Sequence, residues 1–355
     1  MSVFLTGFPG FLGSALVSRL RERDEDVHCL IQSAYREQAE SRAESIAGAE
    51  WDDVIYLHEG DITESNLGLD ADTYDELQDA SSEVFHLAAV YDLAVDREVG
   101  MAVNVEGTKR VLDFAEGADL RRFQYVSTCY VSGRHDGVFR ESDLDVGQSF
   151  NNYYEETKFL AEKAVQERMD EIPTTIYRPA IAVGDSNTGE TQKYDGPYYV
   201  LRWMLRSGKI TPLPFVPGSG DAELNVVPRN FVVDAIDHLS ALDDSEDTVY
   251  QLCDPNPPTV PEMTELLADA TNTTPLPIPA SRGLTKRLLR TEWGQKTGVL
   301  PESVDYFTHP TTYVCPNTHR DLAGSGIACP PFESYVGTLV EYVREHPEID
   351  SAAMT

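Results

Sequence analysis

The sequence predicts an α/β protein: a doubly wound parallel sheet followed by a smaller C-terminal substrate-binding region. Three observations carry this. Apolar strand-like runs and helical segments alternate without a break up to Ile181. The first run, Val3-Phe4-Leu5, leads into a glycine turn and then a helix. Residues 185–228, rich in Gly, Pro and Tyr, then break the alternation. The expected division is 1–184 as the dinucleotide-binding domain, with 226–254 returning to it. Residues 185–225 and 255–355 then form the substrate-binding region.

The elements follow in order. After the first strand, Thr6-Gly7-Phe8-Pro9-Gly10-Phe11-Leu12-Gly13 opens a helix that runs to about Arg23. Glycines there let the backbone turn tightly and approach a pyrophosphate seated on the helix N-terminus. Val27-His28-Cys29-Leu30-Ile31 is the second strand, and it ends in Gln32-Ser33. An acid at that end would bond the ribose hydroxyls of NAD; its absence, with Arg36 and Arg42 following, favours NADP over NAD. The third strand, Val54-Ile55-Tyr56-Leu57, leads to Gly60-Asp61-Ile62, and the fourth, Val84-Phe85-His86-Leu87-Ala88-Ala89, ends in small residues across which a flat cofactor can lie. His86 reads as a packed or hydrogen-bonded core histidine.

A long helical segment then carries Asn104-Val105-Glu106-Gly107-Thr108 near its start. The fifth strand, Phe123 to Ser127, ends in Ser127-Thr128-Cys129, hydroxyls placed where open α/β sheets bind ligands. Asn152-Tyr153-Tyr154 opens a helix in which Tyr154 and Lys158 share a face. A lysine ammonium beside a phenol stabilises the phenolate and lowers its pKa, which suits proton transfer near neutrality. Thr174 to Tyr177 is the sixth strand, running into Arg178-Pro179-Ala180-Ile181. Beyond it, a helical piece is expected around Tyr199 to Arg206, and Tyr194, Tyr198, Tyr199, Trp203 and Phe215 are candidates for an apolar pocket. A strand and helix from Val226 to Leu242, a late strand at Val249 to Leu252 and a last helix at Glu333 to His346 complete the chain.

Composition narrows the function classes. The 355 residues carry a net charge of −32, with Asp and Glu spread along the whole length. This reads as a salt-adapted surface of hydrated carboxylates and argues against nucleic acid and anionic membrane as partners. Five cysteines without metal-ligand spacing read as free thiols in a reducing compartment, and the histidines show no metal pattern, so no metal is expected. Without a basic leader or an apolar run of membrane-spanning length, the expected location is the cytoplasm.

With these residues in view, the chain resembles the extended short-chain dehydrogenase/reductase family, whose core is a Rossmann-type domain. The likeness rests on the Thr6-Gly7-x-x-Gly10-x-x-Gly13 loop, Asp61-Ile62, His86-Leu87-Ala88-Ala89, Asn104-x-x-Gly107-Thr108, Ser127-Thr128, Tyr154-x-x-x-Lys158 and Arg178-Pro179, all in the family's order. It implies that Tyr154 is the acid/base, that Lys158 binds the nicotinamide ribose, and that Thr128 holds the substrate oxygen. It implies a cofactor site drawn from Gly7, Gly10, Phe11, Leu12, Gly13, Gln32, Arg42, Asp61, Ile62, Leu87, Ala88, Ala89, Asn104, Tyr154, Lys158, Pro179 and Ile181. Within the family, Cys29-Leu30-Ile31-Gln32, Ser127-Thr128-Cys129-Tyr130-Val131 and Asn225 to Asp234 are similar to the fatty acyl-CoA and thioester reductase branch. Gln32 stands where that branch has an Arg.

The expected function is hydride transfer to or from a carbonyl or alcohol, with an acyl thioester or aldehyde as substrate. The alternative is a nucleotide-sugar epimerase or dehydratase, for which Arg202, Arg206, Lys209, Arg229 and Arg282 would bind the diphosphate. The third is a non-catalytic dinucleotide-binding protein. The resemblance also makes a homodimer plausible, through the helices after Asp96 and Asn152.

Overall fold

A computed structural model describes residues 2–295 and 299–349. Seven strands form one parallel sheet: β1 (Ser2–Thr6), β2 (Asp26–Ile31), β3 (Ile55–Glu59), β4 (Glu83–His86), β5 (Arg122–Val126), β6 (Thr174–Pro179) and β7 (Thr248–Leu252). Their order is β7-β6-β5-β4-β1-β2-β3. The chain builds outward from β1 in one direction and from β4 in the other. That reversal opens a crevice at the strands' carboxyl ends.

Both faces of the sheet are covered, as a parallel sheet requires. Val3 and Leu5 of β1 pack on one side with Leu16, Val17 and Leu20 of the helix Phe11–Glu22. Phe4, between them, points to the other side and packs with Val111, Leu112 and Phe114. A separate core gathers Tyr194, Tyr198, Leu201 and Met204 with Leu267 and Leu339 from the C-terminal part of the chain.

The second half of the sequence returns to the sheet once, where β7 completes it beside β6, while Val226–Pro228 pairs with Ile181–Val183 in a separate two-stranded sheet. The expected helices appear as Tyr198–Ser207, Arg229–Ser240 and Val336–Glu345. Two further parallel pairs are not expected from the sequence: Gly137–Phe139 with Thr311–Tyr313, and the proline-bearing Ile210–Phe215 with Thr274–Pro279. The prolines of the latter pair (Pro212, Pro214, Pro275, Pro277 and Pro279) look like loop signals. In a two-stranded sheet each strand has a free edge, and prolines at alternate positions turn their missing N–H toward it.

The segment after β4 forms one helix in three parts, Arg97–Gly100, a π-helical Met101–Gly107, and Thr108–Glu116. Gly107 lets the helix pack closely on Ile62: a Cβ there would sit 2.8 Å from Ile62 Cδ1. The helix Tyr153–Gln166 starts as expected, with Asn152 Oδ1 accepting the Glu155 amide at 3.0 Å.

Candidate active site

A cleft of about 470 Å³ lies across the carboxyl ends of β1, β4, β5 and β6. Its first wall is the glycine loop. Gly7 has φ +100°, and a Cβ on it would meet Ala88 N at 2.9 Å. A Cβ on Gly10 or Gly13 would come within 2.7 or 2.4 Å of Gly7 O. The loop therefore closes on itself only with glycine at these three positions. Gly10 is the N-cap of the helix Phe11–Glu22 and supplies no side-chain cap, so the first-turn amides remain available to an anion. This glycine cradle at a helix start, opening on the cleft, fits a dinucleotide's pyrophosphate.

The far end of the cleft contains Gln32, Tyr35, Asp61 and Ile62. Gln32 Nε2 donates to Asp61 Oδ2 at 2.9 Å, and Asp61 Oδ1 accepts from the Thr63 amide and hydroxyl. These bonds hold the Asp61 carboxyl below its ordinary value despite partial burial. Leu87, Ala88, Ala89, Pro179 and Ile181 also line the cleft. Asn104 and Arg42 do not. Asn104 is buried behind the wall, where Oδ1 accepts the Val90 amide at 2.8 Å and Nδ2 donates to Thr157 Oγ1 at 3.0 Å. Arg42 lies 3.6 Å from Glu190 in an ion pair.

Thr128, Tyr154 and Lys158 meet in the middle of the cleft. Burial pushes the Tyr154 phenol above its ordinary value, and a hydrogen bond with Thr128 pulls it back. Lys158 does not bond Tyr154. Its Nζ donates to Val126 O at 2.9 Å and Tyr125 OH at 3.1 Å, and burial brings it down to about 8. The expected lowering of the Tyr154 pKa by Lys158 is therefore absent here: the ammonium is held on the sheet side of the cleft. Ser127 is unavailable to substrate, because its Oγ donates to Glu162 Oε2 at 2.5 Å. That leaves Thr128 as the hydroxyl facing the cleft. His86 is the buried core histidine expected, bonded to Thr6 and Thr108 and driven down to about 3 by burial. Cys129 is fully buried, and its Sγ donates to Arg178 O.

The substrate side was only partly legible. Of the five aromatic candidates, Tyr199 lines the cleft. Tyr194 and Tyr198 belong to the C-terminal core, Trp203 Nε1 donates to Pro212 O, and Phe215 is exposed. Sequence reading missed Tyr91, whose ring meets Tyr154 edge-on at 4.9 Å, and the Lys193–Asp195 ion pair at 3.1 Å. It also missed an apolar wall of Leu93, Val200, Leu224, Val260, Met263 and Phe307. These residues come from five separate stretches with no spacing signal to connect them. Among the described residues, no cluster of His, Cys, Asp or Glu has metal-binding geometry, and no helix is long and apolar enough to cross a membrane.

A parallel sheet with a glycine cradle at its first turn and Thr, Tyr and Lys lining one cleft has the Rossmann-type architecture of the extended short-chain dehydrogenase/reductase family. Residues 5–236 match the family model described as male sterility protein, an NAD-binding family, and the chain belongs to that family. It is 29% identical over 268 residues to one of the linear gramicidin synthase subunits of Brevibacillus parabrevis, covering 72% of this chain and 5% of that protein. It is 26% identical over 273 residues to fatty acyl-CoA reductase wat of Drosophila melanogaster, covering 66% of this chain and 53% of that one. The chain thus spans about half of the fly enzyme and a small part of the bacterial synthase. Among solved structures, the terminal R domain from the myxalamid PKS-NRPS biosynthetic pathway matches with TM-score 0.82 and 26% identity, covering 97% of this chain and 90% of that one.

Proposed function

We propose that the protein is an NADP-preferring reductase of acyl thioesters or aldehydes bearing an apolar chain. The observation that carries this is the chemistry of the cleft's substrate side. Its wall is aliphatic and aromatic, and its only lining cations among the described residues are Lys158 and Lys193, the latter paired with Asp195. The arginines that would hold a sugar nucleotide's diphosphate are elsewhere: Arg229 pairs with Glu190, and Arg282 lies 3.9 Å from Asp305. The names of the relatives, acyl-CoA reductase among them, point the same way.

In this reading the glycine loop seats the pyrophosphate, with Gln32 and Asp61 at the adenosine ribose. NADP is favoured because Gln32, not an acid, follows β2, although Asp61 is drawn close to it. Arg42 contributes only by leaving Glu190. A bound nicotinamide supplies the hydride to the carbonyl carbon. Thr128 orients the carbonyl oxygen, and Tyr154 donates a proton to it. For a thioester, hydride and proton give a hemithioacetal, which expels thiol to leave the aldehyde. Lys158 keeps a positive charge beneath the site, offsetting the negative charge that grows on the oxygen. The proposed division of labour assigns 1–184 and 226–254 to the cofactor, and 185–225 and 255–355 to the substrate. Salt adaptation, a cytoplasmic location and a homodimer through the helices after Asp96 and Asn152 belong to the same proposal.

The test is NADPH and NADH oxidation in high salt with acyl-CoA thioesters and aliphatic aldehydes. The expected outcome is turnover preferring NADPH, lost by at least about 100-fold in Tyr154→Phe with cofactor affinity nearly unchanged. NAD that co-purifies without exchanging, together with sugar-nucleotide turnover, would establish the epimerase class instead.

A further inference from the structure

We infer that Tyr125 is a positioning residue for Lys158, its phenol oxygen taking one of the three ammonium protons. The inference rests on the catalytic reading of Lys158 given above.

The Tyr125 phenol oxygen accepts from Lys158 Nζ at 3.1 Å.

Lys158 has three ammonium protons and no acceptor. Val126 O and Tyr125 OH take two. The third faces the cleft, where a ribose hydroxyl or the Tyr154 phenol would meet it. The Tyr125 ring adds a second attraction, with Nζ 4.7 Å from its centroid. Tyr125 is sealed from solvent, so no water replaces its oxygen as a partner of the ammonium. Its effect is orientation: with Val126 O it fixes the ammonium at the carboxyl end of β5.

The bland alternative is that Tyr125 only fills the core between Phe123 and His86, whose rings it approaches at 6.4 and 5.7 Å. Tyr125→Phe separates the two, since it keeps the ring and removes the acceptor. A charged group that loses a buried hydrogen bond should weaken by roughly tenfold in what it holds. The expected result is a cofactor Kd about tenfold higher at pH 7 and an alkaline limb of kcat/KM displaced downward by about one pH unit. Tyr125→Met also lacks the acceptor and should move both readouts the same way; it keeps the question open to test if Tyr125→Phe does not fold.

Lys158→Met is the reference. If Lys158→Met impairs cofactor binding and turnover while Tyr125→Phe, or Tyr125→Met in its place, follows the wild-type pH profile and Kd, the positioning role is overturned. If Lys158→Met itself binds and turns over normally, the catalytic reading fails, and the inference fails with it. A lowered melting temperature in Tyr125→Phe with an unmoved pH profile means core packing only.

Discussion

Lys158 is the cleft residue whose charge responds most directly to pH. Burial disfavours its ammonium, Glu162 one turn away favours it, and the balance is about 8 against an ordinary 10.5. The sign follows: the group is charged below about pH 8 and neutral above it. Tyr154, held above its ordinary value by burial, stays protonated across that range. A reductase that needs both should lose kcat/KM as pH rises through about 8, with no second limb from the phenol. A pH–rate profile of NADPH oxidation checks this; activity that keeps climbing through alkaline pH would remove Lys158 from the charge requirement. At this scale the sequence was legible where spacing encodes a shared surface, as with Tyr154 and Lys158 on one helical face. It was silent where contact crosses strands. Nothing in the order of residues says that Ser127 is consumed by Glu162, or that Tyr125 rather than Tyr154 receives the Lys158 ammonium.

The helix Tyr153–Gln166 presents two chemistries from one face. Lys158 points toward the cleft, and Glu162, a turn later, is fully buried against Arg178 of β6 at 2.5 Å. Arg178 Nη1 also donates to the carbonyls of Arg140 and Glu141. The pair clamps this helix to the strand that carries Pro179 and to the loop that holds Arg140 and Glu141. Removing one member strands the other without water. Glu162→Ala should therefore cost about 3–5 kcal/mol of stability by denaturant unfolding. A double replacement of Glu162 and Arg178 by apolar residues should cost clearly less. Sequence reading found the elements that alternate strongly, and it placed Arg178-Pro179 at a strand end. It lost the proline-bearing pair Ile210–Phe215 and Thr274–Pro279, because the residues that mark a loop elsewhere also suit a strand with one free edge.

For the whole molecule the dominant quantity is the charge of −32. Many ion pairs are surface contacts of small worth, such as Lys109–Glu106 and Lys163–Asp145. They leave most carboxylates to repel one another. Screening shortens from about 10 Å at 0.1 M salt to about 3 Å at 1 M. The melting temperature should consequently rise by several degrees, or more, between these concentrations of KCl; a flat or falling curve would show that attractive pairs outweigh the repulsion. Net charge was plain in the sequence. The return of 226–254 to the first domain is expected from the sequence; that β7 takes the edge beside β6 is not. That placement has a consequence for anyone who would shorten this protein. A fragment cut after the cofactor-binding motifs, or at residue 236 where the family match ends, lacks β7. It uncovers the β6 edge and removes Asp243 and Ser245, whose oxygens accept from the buried Arg122 guanidinium. The motif-rich half of the chain is therefore not a module that can be lifted out. Any chimera or minimal catalyst made from it has to carry the stretch through Leu252, and circular rearrangement that brings this stretch next to β6 is the conservative way to build one.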